Sequence, residues 1–184
     1  MGCDWFIATA TSVERRDLMT SVRKQDEQFG EFYRHQWKRL VAAIATSLPG
    51  VDAEDVAQEA FIRAYGSWSR VASHPSPDGW LFLTAFRIGR RASWRRRRRG
   101  DLPWHTSTMT EDVVEDRLLA RSVLDAATTR QRAAIVLRFY FGLSVRETAS
   151  LLKCREGTVK SLVNRGLSAV AESQGTADHA KRGE

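Results

Sequence analysis

Apolar residues recur along this chain at three- and four-residue steps, the period of an amphipathic helix, and no segment alternates in the way a strand requires. The first clear stripe is Phe29, Phe32, Tyr33, Trp37, Leu40, Val41 and Ile44, which must end near Pro49-Gly50. A second helix opens at Asp52, a good N-cap, with Glu54 and Asp55 in its first turn. Its apolar face is Val56, Ala60, Phe61, Ala64, Tyr65 and Trp68. The stretch from Ala72 to Gly79, with Pro75 and Pro77, predicts a loop. From Trp80 to Arg99 a third long helix is expected, with Leu81, Ala85, Ile88 and Ala92 at helical spacing.

From Gly100 to Met109 the chain turns to Gly, Pro, Ser, Thr and His, the composition of a linker. Helical period resumes at Leu118, Leu119, Val123 and Ala126. Thr128 with Gln131 predicts a capping box for a helix carrying Ile135, Val136, Phe139 and Tyr140, and Gly142 ends it. Ser144 with Glu147 predicts a second box, opening a short helix through Thr148, Ala149 and Leu152. A tight turn at Lys153-Cys154-Arg155 leads to a last helix from Glu156 to about Glu172. The small polar tail after Ser173 reads as disordered.

Charge changes this picture because of where it lies. The chain holds 29 Lys and Arg against 22 Asp and Glu, a net of +7. Eight of the basic residues, Arg87, Arg90, Arg91 and Arg95 to Arg99, fall in one acid-free stretch, and without them the net is −1. The excess is therefore a local patch, the footprint of phosphate contact. An arginine run alone also fits a solvated tail, but this one continues an apolar helix bearing Trp80 and Trp94. Aromatics beside arginines are what holding unstacked bases requires, although a core role suits both tryptophans equally. No apolar run approaches the roughly eighteen residues of a membrane span, and the first ten residues lack the basic leader of a secretion signal. Cys3 and Cys154 make neither a metal spacing nor a disulfide framework, which suits a reducing cytoplasm. No cofactor or metal is expected.

A short helix, a tight turn and a longer helix form a helix-turn-helix, whose second helix enters the major groove. Val159, Val163, Gly166 and Val170 would face inward. Thr158, Lys160, Ser161, Asn164 and Arg165 would face outward, all able to reach phosphates or base edges. As a pattern alone, this also fits two helices packed for structural reasons.

The wording of these segments carries a resemblance. Gly142-Leu143-Ser144, Glu147-Thr148-Ala149 and Glu156-Gly157-Thr158-Val159-Lys160-Ser161 resemble region 4 of the extracytoplasmic-function (ECF) sigma factors of the sigma-70 family. Arg130-Gln131-Arg132 with Val136-Leu137-Arg138-Phe139-Tyr140 is similar to the helix leading into that motif. Asp52-Ala53-Glu54-Asp55-Val56-Ala57-Gln58-Glu59-Ala60-Phe61 resembles region 2.2, and the Trp80 helix ending in arginines resembles regions 2.3 and 2.4. The two matches stand in family order and cover about Phe29 to Glu172; Ser93-Trp94-Arg95 leans towards the actinobacterial types.

That resemblance implies an all-α fold of two small helical domains joined by a flexible linker, the second a helix-turn-helix four-helix unit. The expected organisation is a flexible extension over 1–27, region 2 over 28–99, a linker over 100–111, region 4 over 112–172 and a disordered tail over 173–184. It implies binding to core RNA polymerase, through the clamp helices of its largest subunit and its flap region, and to promoter DNA, without membrane insertion and without catalysis. A separate anti-sigma factor is a further implied partner. The polymerase-facing stripe would be Asp55, Gln58, Glu59 and Ile62, spaced i, i+3, i+4, i+7. The −10 element would be read by His74, Ser76 and Asp78 in the loop, with Trp80, Arg87, Arg90, Arg91, Trp94 and Arg95 on the following helix. The −35 element would be read by Arg155, Thr158, Lys160, Ser161, Asn164 and Arg165.

The chain departs from the family wording in places. Ala127-Thr128 replaces the usual Leu-Pro, and Leu162 stands where many relatives carry arginine. Gly166 replaces alanine, which on propensity alone loosens that helix by roughly 1 kcal/mol. A helix-turn-helix regulator without sigma activity would share only the C-terminal half. An enzyme acting on nucleic acid would need an acidic metal cluster. Glu111, Asp112, Glu115 and Asp116 do cluster, but beside the linker and without histidines, so they read as a solvated helix start.

Overall fold

A computed structural model of the chain describes residues 12–99 and 124–181. The linker and the acidic cluster, and with them the readings made for 1–11, 100–123 and 182–184, lie outside the described residues. Among the described residues every element is helical.

Helix α1 (Ser12–Ser47) runs 36 residues, about 54 Å at 1.5 Å per residue. It begins far earlier than the apolar stripe suggested, so residues 12–27, read from sequence as a flexible extension, are helical here. Glu, Arg, Leu, Met, Lys and Gln supply nine of these sixteen residues, and no glycine or proline interrupts the helix before Gly30. The helix ends at Ser47, and the chain turns at Pro49-Gly50, where Gly50 takes φ +80°. Asp26 accepts a 2.7 Å hydrogen bond from the Tyr65 hydroxyl, tying the N-terminal part to the next helix. That bond, with the carboxylate charge, raises the phenol above its usual value.

Helix α2 (Ala53–Tyr65) starts as expected: the Asp52 carboxylate accepts from the amides of Glu54 and Asp55 at 3.1 and 3.0 Å. It stops at Gly66, so Trp68 lies not on α2 but on a separate turn of helix, α3 (Trp68–Ala72). Trp68, Phe29, Phe32, Tyr33 and Phe61 make an aromatic cluster, with Tyr33–Phe61 at 4.7 Å and Phe32–Trp68 at 5.1 Å between ring centroids. Helix α4 (Pro77–Arg99) begins three residues before the sequence expectation. Pro77 takes the first helical position, where its missing N–H costs nothing, and the Ser76 carbonyl accepts from the Trp80 amide. Gly89 lets α4 approach the end of α1, since a Cβ there would lie 2.8 Å from Leu48 Cδ1. Leu81, Phe82 and Ala85 of α4 are fully buried against Leu40, Val41 and Ile44 of α1 and Ala57, Ala60 and Ala64 of α2.

In the second half, α5 (Thr129–Ile135) opens on the expected box: Thr128 N–H donates to Gln131 Oε1 at 2.7 Å, and Gln131 N–H to Thr128 Oγ1 at 3.5 Å. It continues as one wide π-turn over Val136–Tyr140. The extra residue rotates the face, so Phe139 and Tyr140, expected with the apolar set, are exposed, Phe139 by 62%. Helix α6 (Val145–Leu152) carries the second box, Ser144 with Glu147, and ends at Lys153 in the left-handed conformation, φ 51°. Helix α7 (Glu156–Lys181) outruns its expected end, so residues 173–181, read as a disordered tail, continue the helix.

The linker reading suggested halves free to move apart. In this structure they instead share one core. Phe82 of α4 packs on Phe141 at 5.3 Å between centroids, and Ala133, Val136, Leu137, Leu143 and Leu151 belong to the same buried cluster as the α1–α2–α4 residues. A smaller cluster, Ala134, Ala149, Val159 and Val163, holds α5, α6 and α7 together.

Candidate nucleic-acid interface

Asp55, Gln58, Glu59 and Ile62 form one outward stripe on α2, set by the helical period. Ile62 is 67% exposed, an apolar side chain held in solvent by the burial of Val56, Ala57, Ala60 and Phe61 on the opposite face. Glu59 also pairs with Arg63 one turn on, an exposed i,i+4 contact worth only a few tenths of a kcal/mol.

The loop before α4 is shorter and more self-engaged than its sequence suggested. His74 Nδ1 accepts from the Ser76 amide at 3.0 Å, Ser76 Oγ donates to Asp78 Oδ1 at 3.2 Å, and the Gly79 amide donates to the same oxygen at 3.0 Å. Ser76 is only 5% exposed, so the expectation that it reads a base is corrected: its side chain is spent on starting α4. His74 and Asp78 stay half-buried at the edge of this turn.

Along α4, Trp80 takes the core role, packed partly buried against the main cluster. Arg87, Arg90, Arg91 and Arg95 are exposed and have no hydrogen bond or ion pair among the described residues. Trp94 is 58% exposed, with the Arg98 guanidinium carbon 4.7 Å from its ring centroid. Arg96, grouped by sequence with the free arginines, instead donates from Nη1 to the Gly50 carbonyl at 2.8 Å, bracing the α1–α2 turn. Arg87 and Arg90 line a cleft of about 320 Å³ with Leu83, Phe86, Arg130 and Leu152.

The helix-turn-helix packs as its wording predicts. Val159, Val163, Gly166 and Val170 face inward; Arg155, Lys160, Asn164 and Arg165 are exposed, with Thr158 and Ser161 half-buried between. The Arg155 carbonyl accepts from the Thr158 and Val159 amides, placing its side chain at the N-terminus of α7, the end whose dipole favours phosphate. Leu162 is half-buried against the smaller cluster, so its loss of a cationic head serves packing. Gly166 is a close-approach residue: a Cβ there would lie 2.8 Å from Ile135 Cδ1 and 3.1 Å from Gln131 Cβ. The loosening expected from its propensity is thus the condition for α7 to seat on α5. Arg132, unremarked in the sequence beyond its motif, is buried; Nε donates to the Ala127 carbonyl and Nη2 to the Asp125 carbonyl, with the Asp125 carboxylate 3.4 Å away. Its place one turn before Val136, on the apolar face, was the available signal.

Two family models match in the order of these halves: "Sigma-70 region 2" over residues 34–101 and "Sigma-70, region 4" over residues 119–170. The chain is 31% identical over 151 residues to the RNA polymerase sigma-E factor of Streptomyces avermitilis, covering 79% of this chain and 84% of that protein. This chain belongs to the ECF sigma-factor family. The ECF RNA polymerase sigma factor SigX of Bacillus subtilis matches at 31% over 128 residues, 62% of this chain and 66% of SigX. The fold of this sigma-family chain is shared by two solved structures. One is CnrH in complex with the cytosolic domain of CnrY, with TM-score 0.58 at 22% identity over 82% of this chain and 90% of that one. The other is the sigma factor RpoE in complex with the anti-sigma factor NepR from Bartonella quintana, with TM-score 0.55 at 24% identity over 77% and 95%. No described helix is long and apolar enough to cross a membrane.

Proposed function

We propose that this chain confers promoter recognition on core RNA polymerase, binding the −35 and −10 elements and promoting strand separation, without catalysing a reaction itself. The observation that carries this is the pairing, within one chain, of an arginine-rich α4 with a helix-turn-helix whose polar face is open. The α2 stripe around Ile62 docks on the clamp helices of the largest subunit, since an apolar centre with an acid and amide rim is the anatomy of a protein interface. Region 4 supplies the contact to the flap region.

Opening promoter strands costs on the order of 1–2 kcal/mol per base-pair step. Stacking an unpaired base on an aromatic returns about 1–3 kcal/mol, and exposed Trp94 is the aromatic available for it. Arg87, Arg90, Arg91 and Arg95 hold the backbone, with His74 and Asp78 at the loop edge as the remaining base readers. On the −35 element, Lys160, Asn164 and Arg165 reach base edges while Arg155, Thr158 and Ser161 set the register of α7. Such a factor works in the cytoplasm with its polymerase, and a separate anti-sigma factor is the class of inhibitor that the family implies.

Run-off transcription with purified core polymerase and a library of promoter templates tests this reading. Transcripts that require the chain support it. Binding of duplex DNA without any initiation would leave a helix-turn-helix regulator in its place.

A further inference from the structure

We propose that the cleft between α4 and α5 is a binding site for a free nucleoside polyphosphate. The cleft encloses about 320 Å³, at the lower end of the roughly 300–1,000 Å³ typical of small-molecule sites. Arg87 and Arg90 reach it from α4, and Arg130 reaches it from α5. The first two stand i, i+3 on one face of α4, so helical period alone sets them side by side. The tertiary fold then adds the third from the far side of the linker.

None of these arginines has a hydrogen bond or ion pair among the described residues, and no acid lines the cleft. Like charges gathered without a counter-ion repel one another, and an anion settling among them relieves that repulsion. Guanidinium suits phosphate in particular, because its planar fork donates two parallel hydrogen bonds to a pair of oxygens. The Thr129 hydroxyl, exposed at the same rim, adds a neutral donor.

Phosphate alone would leave the rest of the cleft unused. Its lining is otherwise apolar: Phe86 and Ala133 are 6% and 1% exposed, with half-buried Leu152 beside them. An apolar ligand would cover that surface and leave the cations unpaired. A flat base carried on a phosphate chain satisfies both, with its ring on the apolar surface and its phosphates on the guanidinium heads. Arg87 and Arg90 also serve the promoter backbone in the function proposed for this chain, whereas Arg130 has no such role. Arg130 is therefore the residue that separates a nucleotide site from DNA binding.

The test is equilibrium dialysis of the full-length free chain against ATP, GTP, inorganic tripolyphosphate and adenosine, at one ionic strength and without divalent cations. Tripolyphosphate carries at least as much charge as either nucleotide, so simple attraction to the arginine run would favour it. ATP or GTP should instead bind about fivefold or more tightly than tripolyphosphate, the factor a packed base adds to phosphate. Adenosine, which lacks phosphate, should bind at least about tenfold more weakly than ATP. Arg130→Gln and Thr129→Glu should each weaken nucleotide binding about tenfold or more, with circular dichroism showing that both variants stay helical. Arg98→Gln, which changes net charge as Arg130→Gln does, should alter binding less than about twofold. Tripolyphosphate or adenosine binding as tightly as the nucleotides, or equal losses in Arg130→Gln and Arg98→Gln, overturns the proposal. If Arg130→Gln weakens a short single-stranded oligonucleotide as much as it weakens ATP, the cleft belongs to a nucleic-acid strand and the proposal fails.

Discussion

Replacing Arg90, Arg91 and Arg95 together by glutamine separates phosphate contact from mere solvation. All three side chains are exposed on α4 with no partner among the described residues, so each is free to neutralise a phosphate. Removing one such phosphate interaction should reduce the slope of log affinity against log salt by about 0.9 on duplex DNA or about 0.7 on a single strand. The slope of the triple variant therefore falls by about 2.7 if the phosphates are in duplex and by about 2.1 if they are single-stranded. Over a fourfold rise in salt, the duplex case leaves the variant about fortyfold less sensitive than the parent. Arg96→Gln supplies the contrast. Its guanidinium is committed to the Gly50 carbonyl, so the slope should stay unchanged while the fold loses about 0.5–1.5 kcal/mol, the net worth of one hydrogen bond. The measurement is promoter binding by holoenzyme, assembled from core polymerase and each variant, titrated at several salt concentrations, with urea unfolding of the free chains alongside. An unchanged slope in the triple variant, or a slope that falls by about 0.9 in Arg96→Gln, would refute the division of the run into free and structural arginines.

Charge reversal at Asp55 and Glu59 should abolish co-purification with core polymerase while the free chain stays folded, losing about 0.3–1 kcal/mol for Asp55 at the helix N-terminus and a few tenths for the exposed Glu59–Arg63 pair; retained co-purification would reassign that face. Gly166→Ala gains about 1 kcal/mol of helix propensity but forces a methyl against Ile135 and Gln131, an overpacking that costs about 1–3 kcal/mol. A net loss of up to about 2 kcal/mol is expected by urea unfolding, and a stabilised variant would show that α5 and α7 have room to part. The Glu147 carboxylate is held below its ordinary value of 4.5, first by the Ser144 hydroxyl and then by the Ser144 amide. A lowered folded value means stability that is whole above about pH 4.5 and lost as pH falls through the folded value, so Glu147→Gln should flatten the acid limb of a pH–stability curve. In a transcribed promoter library, substitution of Lys160, Asn164 or Arg165 should alter only −35 preference, at about 1–3 kcal/mol per specific base interaction, and substitution of His74 or Asp78 only −10 preference; shifts at the other element would break the assignment of halves to elements.

Local chemistry was readable in the chain alone. Asp52, Thr128 and Ser144 cap helices because their side-chain oxygens reach amides two or three residues on, an interaction whose partners are written side by side. The inward valines of α7 and the outward stripe of α2 follow equally from the 3.6-residue period, and the family wording rests on those same short segments. What the tertiary structure decided are contacts between residues distant in sequence. Gly166 reads as a weak helix residue until Ile135 is seen above it, and Arg96 reads as one more phosphate-binding cation until the Gly50 carbonyl is placed beside it. Ser76 reads as a loop side chain open to a base, whereas Pro77 starts α4 one residue later and turns it inward. The closure of the two halves is of the same kind. Phe82 and Phe141 stand in neither of the apolar sets legible in the chain, and no local pattern specifies one as the other's partner, because burial is non-directional and only the packed shape selects which faces meet.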